Sequence, residues 1–304
     1  MARHELKATR GTVIDHFSRD TAPVLWIDPG DTVVVESLDA NGYREPMTEP
    51  GRQPPTMLAT KRGHCLTGPI AVDGTYPGQT LSVSFVSLRP GDWGWTIAGH
   101  KDNALTRRLG VAGDVSWLLW DIDVATAKNN LGHTVRLAPF LGVVGVAPAE
   151  PGEHSTIPPR AGSGGNIDCR ELIAGSTLYL PVNVEQALLY LGDGHAAQGD
   201  GEVAGTAIEC PMTTEVVVDV VDDYVPGVHA VTPMARITFG FNADLNEATA
   251  EALDAMLVWM QALYNVDKST ALALASPIVD LRITQVANNT WGVHAVLPHD
   301  AILS

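Results

Sequence analysis

The stretch between positions 163 and 209 holds most of the residues in this chain whose types and spacing could do chemistry. Its first run, Ser163-Gly164-Gly165-Asn166-Ile167-Asp168-Cys169-Arg170-Glu171, sets Asn166 and Asp168 two residues apart. In an extended backbone that spacing points both side chains the same way. The second run, Gly192-Asp193-Gly194-His195-Ala196-Ala197-Gln198-Gly199-Asp200-Gly201-Glu202, repeats the spacing at Asp193/His195 and at Asp200/Glu202. A third, Gly205-Thr206-Ala207-Ile208-Glu209, ends on a carboxylate. Imidazole nitrogens and carboxylate oxygens are natural ligands of Zn²⁺ and similar divalent ions. Glycines between them let a loop fold tightly round a small site. The Gly-Asp-Gly runs fit plain surface turns equally well, since Asp and Gly are common there. An EF-hand is excluded, because the twelfth position counted from Asp193 is Ala204 and not the required Glu.

Covalent chemistries fit less well. Gly162-Ser163-Gly164-Gly165 is a Gly/Ser-rich loop, but the paired serines of serine amidases are missing. Cys169 and Cys210 each stand beside a candidate carboxylate, yet neither lies in a recognisable nucleophile elbow.

The elements that must position these groups read mainly as strands. Twenty-nine Gly and 20 Pro punctuate the chain at short intervals, which favours turns and strands over long helices. Thr32-Val33-Val34-Val35-Glu36 follows a turn at Pro29-Gly30-Asp31, and Leu81-Ser82-Val83-Ser84-Phe85 alternates, placing Leu81, Val83 and Phe85 on one buried face. Val216 to Val221 is β-branched enough for a central strand, and Arg236-Ile237-Thr238-Phe239 and Val279 to Thr284 alternate again. One helix stands out after Ala250, with Leu253, Met256, Leu257, Met260, Leu263 and Tyr264 on one face. Asp244 and Glu247 suit a capping arrangement at its start, and Asn265 a stop. The expected fold is mainly β, of sandwich- or barrel-like sheets, with a smaller α+β element near the C-terminus. The Pro-rich stretch from Ala147 to Arg160 divides a β-rich region, 1–150, from a β-rich catalytic region, 151–304, or else runs as an ordered loop within one interwoven domain.

Bulk properties narrow the partners. A formal net charge of −16 repels phosphate backbones and anionic lipid, so nucleic-acid and membrane partners are not expected. The N-terminus lacks a signal-like apolar stretch, and three cysteines without a Cys-x-x-Cys pair suit free thiols in a reducing cytoplasm.

Several phrases, taken in order, resemble the acetamidase/formamidase family. They are Thr67-Gly68-Pro69-Ile70-Ala71-Val72-Asp73-Gly74, Pro77-Gly78-Gln79-Thr80-Leu81 and Pro139 to Pro148, then Gly164 to Asp168, Gly192 to Glu202 and Thr206 to Glu209. Pro29-Gly30-Asp31-Thr32-Val33 and Ile283-Thr284-Gln285-Val286 extend the resemblance almost end to end. It implies a β-rich homo-oligomeric amidohydrolase that releases ammonia from small amides such as formamide and acetamide. It also favours the metal reading of the cluster and adds His64, which precedes the Thr67-Gly68-Pro69 phrase. On that reading His64, Asp168 and His195 hold a divalent ion, Zn²⁺ first with Ca²⁺ or Mn²⁺ as alternatives, and Asp193 is a further ligand or an orienting neighbour. Glu209 takes the proton of the attacking water, with Glu202 the alternative base, and Asn166 holds the amide or its developing oxyanion. A hydrolase of another small C–N substrate, a urea or carbamate, and a non-catalytic β-rich binding protein are the competing functions.

Overall fold

The alternating and β-branched runs pair into two large sheets in a computed structural model that describes residues 1–303. The first has nine strands, in the spatial order Arg3–Leu6, Asp31–Ser37, Met212–Val221, Thr80–Pro90, Thr177–Pro181, His229–Val231, Ala235–Asn242, Trp291–Pro298 and Asp280–Gln285. The second has eleven. Its main path runs Thr134–Arg136, Thr126–Asn129, Ser116–Ile122, Trp93–Ala98, Glu209–Cys210, Leu189–His195, Phe140–Val146 and Gly164–Asn166. Leu66–Val72 joins it by pairing with Leu189–His195, and carries Val13–Ile14 and Leu25–Ile27. Each sheet takes strands from both sides of residue 150.

One continuous apolar core joins the sheets. Val33, Leu81, Val83, Phe85, Val216 and Val218 of the first meet Ile70, Leu141, Val144, Leu189 and Leu191 of the second. The run expected to be a central strand, Val216 to Val221, does lie between two neighbours, paired antiparallel with Asp31–Ser37 and Thr80–Pro90. Phe140–Val146 and Leu189–His195 are buried at every position. Covered on both faces, Phe140–Val146 reads in sequence as an unbroken apolar and glycine run without alternation, whereas Leu189–His195 starts apolar and carries Asp193 and His195 in its second half.

The C-terminal α+β element is present and larger than the periodicity suggests. The helix Leu245–Tyr264 is capped by Asp244, whose side chain accepts the Asn246 amide at 2.7 Å, and it ends at Asn265 in the left-handed conformation. Ala248, Ala252, Met256, Leu257 and Met260 are buried, whereas Leu263, expected on the inner face, is 37% exposed. The small alanines let the helix lie close on Ala235–Asn242, where a Cβ at Gly240 would collide with the Ala248 carbonyl. A second helix, Lys268–Ile278, escaped the sequence reading because its buried residues are only Ala271 and Ala275. Among the described residues no helix is long and apolar enough to cross a membrane.

Candidate active site

The site forms where the strand Leu189–His195 changes neighbours. On one flank it runs beside Leu66–Val72 as far as Gly192, then beside Glu209–Cys210 from Gly194. Asp193 sits at the changeover in the left-handed region, with φ 61°. His195 pairs in register with Glu209, so both side chains arrive at one place. On the other flank the antiparallel ladder with Phe140–Val146 has pairs at Leu141/Gly194 and Val143/Gly192, which brings Gly142 opposite Asp193. The Gly142 carbonyl accepts the amides of Ile167 (2.9 Å) and Asp168 (3.2 Å), and this brings Asp168 over the same spot.

Gly142 is the floor of the cluster. A Cβ there would lie 2.6 Å from Asp193 Oδ2, 2.7 Å from Asp168 Oδ1 and 2.7 Å from His195 Cε1. Asp168, Asp193 and Glu202 all have positive φ, at 56°, 61° and 42°. Such backbone is uncommon for residues other than glycine, and its cost, of order 1–3 kcal/mol each, concentrates where surrounding structure enforces it, as at ligand clamps. These side chains are therefore brought inward by left-handed backbone and not by the alternation of an extended strand. Asp168 lies beyond the end of its strand, and Asp200 is exposed while Glu202 turns inward and is buried.

Five of the expected side chains converge. One ligand atom from each of Asp168, Asp193 and His195 lies within 4.8 Å of the others, and the same holds for His195, Glu202 and Glu209. His195 Nε2 is 3.5 Å from Asp193 Oδ2 and 3.4 Å from Glu209 Oε2. Asn166 lines the adjoining cavity, its Nδ2 donating to the Ile157 carbonyl at 3.0 Å. His64 stands at the edge, with Nε2 4.0 Å from Asp193 Oδ2 and Nδ1 3.4 Å from Thr156 Oγ1.

Four buried carboxyl groups surround one buried imidazole, so acidity is strongly displaced. Burial pushes Asp168 up to about 8; His195 opposes this, while Asp193 and Glu209 add to it. Glu202 is raised well above the usual carboxylate range by burial and by Asp168, and Glu209 is raised by burial against the pull of His195. Burial alone would favour neutral His195, but Glu209 and Asp193 hold its pKa well above the ordinary value. Asp193 is held low despite burial by His64 and His195.

This donor set suits a divalent cation. Both Asp168 oxygens, Asp193 Oδ1, both His195 nitrogens, Glu209 Oε2 and Asn166 Oδ1 are buried without a hydrogen-bond partner. Buried polar atoms are almost always satisfied, and leaving several adjacent ones open costs stability unless something fills the space between them. Oxygen and imidazole donors are the ligands such an ion takes. The thiols fit a nucleophilic role poorly. All three are buried, and burial raises the pKa of Cys65, Cys169 and Cys210.

Sequence reasoning passed over several residues that shape the site. Gln198 Nε2 donates to the Asp168 carbonyl at 2.8 Å, and Phe140 meets the His195 ring edge-on with centroids 5.0 Å apart. Trp95 pairs in register with Glu209 and donates through Nε1 to Asp39 Oδ2 at 2.7 Å. Asp39 is itself buried and its carboxyl is raised to about 7 by that burial. Gln198, Phe140 and Gly142 do stand inside the family-like phrases, which was the available signal. Asp39 and Trp95 carried none.

Comparison with known proteins places the chain in a family. The model of the acetamidase/formamidase family matches residues 2–154 and 149–239. The chain is 25% identical over 245 residues to a formamidase of Methylophilus methylotrophus, covering 64% of this chain and 60% of that one. It is 33% identical over 200 residues to an acetamidase of Mycolicibacterium smegmatis, covering 46% and 49%. It thus spans three fifths or less of the length of these curated relatives. Among solved structures, an acetamidase from Bacillus halodurans superposes with a TM-score of 0.83 at 26% identity over 97% of both chains. One from Yersinia enterocolitica gives 0.87 at 25% identity over 99% of this chain and 93% of that one. A family model that covers most of the chain, together with this end-to-end likeness of fold, means that the chain belongs to the acetamidase/formamidase family.

Proposed function

We propose that this protein hydrolyses short aliphatic amides such as formamide and acetamide to carboxylate and ammonia, with a divalent cation, Zn²⁺ first and Ca²⁺ or Mn²⁺ as alternatives, in the cluster under Trp95. The observation that carries the reading is the set of buried, unpartnered ligand atoms on Asp168, Asp193, His195 and Glu209, of which Asp193 and Glu209 also line a cavity of ≈ 490 Å³. Asp168, Asp193 and His195 would hold the ion, with His64 closing the site from its edge. A bound cation supplies polarisation of the amide oxygen and a more acidic water.

The remaining steps fall to the chain's own groups. Glu209 Oε1 is fixed by the Ala207 amide at 2.9 Å, which leaves Oε2 free to take a proton from water and return it to the departing amine. Burial raises its pKa from the ordinary carboxylate value, the direction that brings a general base closer to a neutral working pH. Glu202, buried beside Asp168, is the reserve base. Asn166 Oδ1 is open to an amide N–H donor, while its Nδ2 is tied to Ile157, so it serves to orient the substrate nitrogen. Cytoplasmic location and homo-oligomeric assembly belong to the same proposal.

Ammonia release from a panel of small amides, measured before and after dialysis against a strong chelator with metal content determined in parallel, tests it. Turnover should vanish with the metal and return when a divalent ion is added. Full activity in metal-free protein would overturn the metal, and no release from any amide would overturn the hydrolase.

A further inference from the structure

The cavity above the cluster is larger and more cationic than formamide or acetamide requires. An amide of four non-hydrogen atoms displaces about three waters, roughly 90 Å³ at about 30 Å³ each. The cavity measures ≈ 490 Å³, within the size range of sites that enclose larger small molecules. Its inner wall carries buried Asp193, Glu202 and Glu209, and its outer wall carries exposed Lys61 and half-buried Lys101.

Those two lysines are notable in this chain. It has only five, against 35 acidic residues, and two of the five face one cavity. Lys101 Nζ donates to the carbonyls of Gly205 (3.1 Å) and Ala287 (2.8 Å), and Lys61 Nζ donates to Gln53 Oε1 at 3.2 Å. Neutral acceptors hold an ammonium in place without cancelling its charge. Among the described residues neither lysine has a carboxylate partner, whereas Arg62 on the same wall is paired with Asp15 and Glu153. Lys101 keeps one N–H free, and its half-buried position leaves it less screened by salt than a surface charge.

We propose that the substrate is an amide bearing a carboxylate at the end remote from the amide, the monoamide of a short dicarboxylic acid. The amide lies at the carboxylate-lined inner wall, and the distal carboxylate meets Lys101, with Lys61 adding field at the entrance. This rests on the amide-hydrolase reading and names the substrate class for that site. The reaction is unchanged: water adds to the amide carbon, the C–N bond breaks, and the nitrogen leaves as ammonia with the proton it gains.

The test compares kcat/KM for succinamate with that for 4-methylpentanamide, which has a similar shape without the charge. The native protein should prefer succinamate by about 10- to 100-fold, the range expected for one hydrogen bond to a charged group, and rising ionic strength should reduce the preference. In Lys101→Met the ratio of the two values should collapse towards unity, and Lys101→Arg should restore much of it. Using the ratio cancels any general loss from releasing the Gly205 and Ala287 carbonyls. Hydrolysis of the neutral amide as fast as succinamate by the native protein would overturn the anionic substrate and leave the amidase standing. An unaltered ratio in folded Lys101→Met would overturn the role of Lys101. Release of ammonia from neither amide would overturn the amidase reading and this inference together.

Discussion

Replacing Gly142 by Ala tests the site at the position where its geometry is tightest. The added carbon would stand 2.6 Å from Asp193 Oδ2, 2.7 Å from Asp168 Oδ1 and 2.7 Å from His195 Cε1. Ordinary contact needs about 3.5 Å, so each of three groups must retreat by roughly 0.8 Å, or the strand must shift. The retreat is blocked, because all three side chains are buried and two of them sit on left-handed backbone. Overpacking of this kind costs about 1–3 kcal/mol of stability, which a domain of this size survives with a melting point lowered by several degrees. Function should suffer more. A displacement approaching 1 Å in a positioned group costs on the order of 100-fold in rate, and three proposed ligands move together. Gly142→Ala should therefore fold, show near-native circular dichroism, bind a divalent ion at least tenfold more weakly and lose about 100-fold or more of its acetamide turnover. A folded Gly142→Ala protein with native metal content and native turnover would refute the placement of the reaction at this cluster.

Further outcomes follow from neighbouring residues. Glu209→Gln should keep its fold and its metal while turnover falls by ~10²–10⁴, mostly in kcat, as for loss of a general base; loss of metal in that variant would make Glu209 a ligand, and unchanged turnover would pass the role to Glu202. Cys169→Ala and Cys210→Ala should each retain most of the turnover, because their raised pKa leaves little thiolate; a fall of several orders of magnitude in a folded variant would restore the sulfur nucleophile. The last concerns acid stability. Burial works against ionisation of Asp15, but Thr60, the Arg62 amide, His16 and the Arg62 guanidinium outweigh it and bring the pKa down to about 2. A depressed carboxylate contributes stability above its unfolded pKa, near 3.8, and that contribution is lost as pH falls through about 2. Asp15→Asn should thus melt below the native protein at pH 5, and the gap should close between pH 4 and 2; a gap that stays constant over that range would show that Asp15 acts without its charge.

What the sequence determined by itself is the set of groups and the class of element that carries them. Asn166, Asp168, Asp193, His195, Glu202 and Glu209 could be named because side chains able to bind a cation or move a proton stand close together within one glycine-rich stretch. The β class was legible at Leu81, Val83 and Phe85, and the long helix at Met256, Leu257 and Met260, because a half-buried element must repeat its apolar residues with its own period. The helix Lys268–Ile278 was not legible, since two buried alanines leave almost no periodic signal. Only the tertiary structure decided how the groups meet. Register, not spacing, sets His195 beside Glu209 and Asp193 over Gly142, and positive φ at Asp168, Asp193 and Glu202 turns those side chains inward where strict alternation would have sent some of them elsewhere. Asp39 behind Trp95, and Lys101 against the carbonyls of Gly205 and Ala287, came from segments far away in the chain. A strand's neighbours and its breaks in pairing depend on the energy of the whole sheet, whereas local sequence fixes only which face each residue prefers.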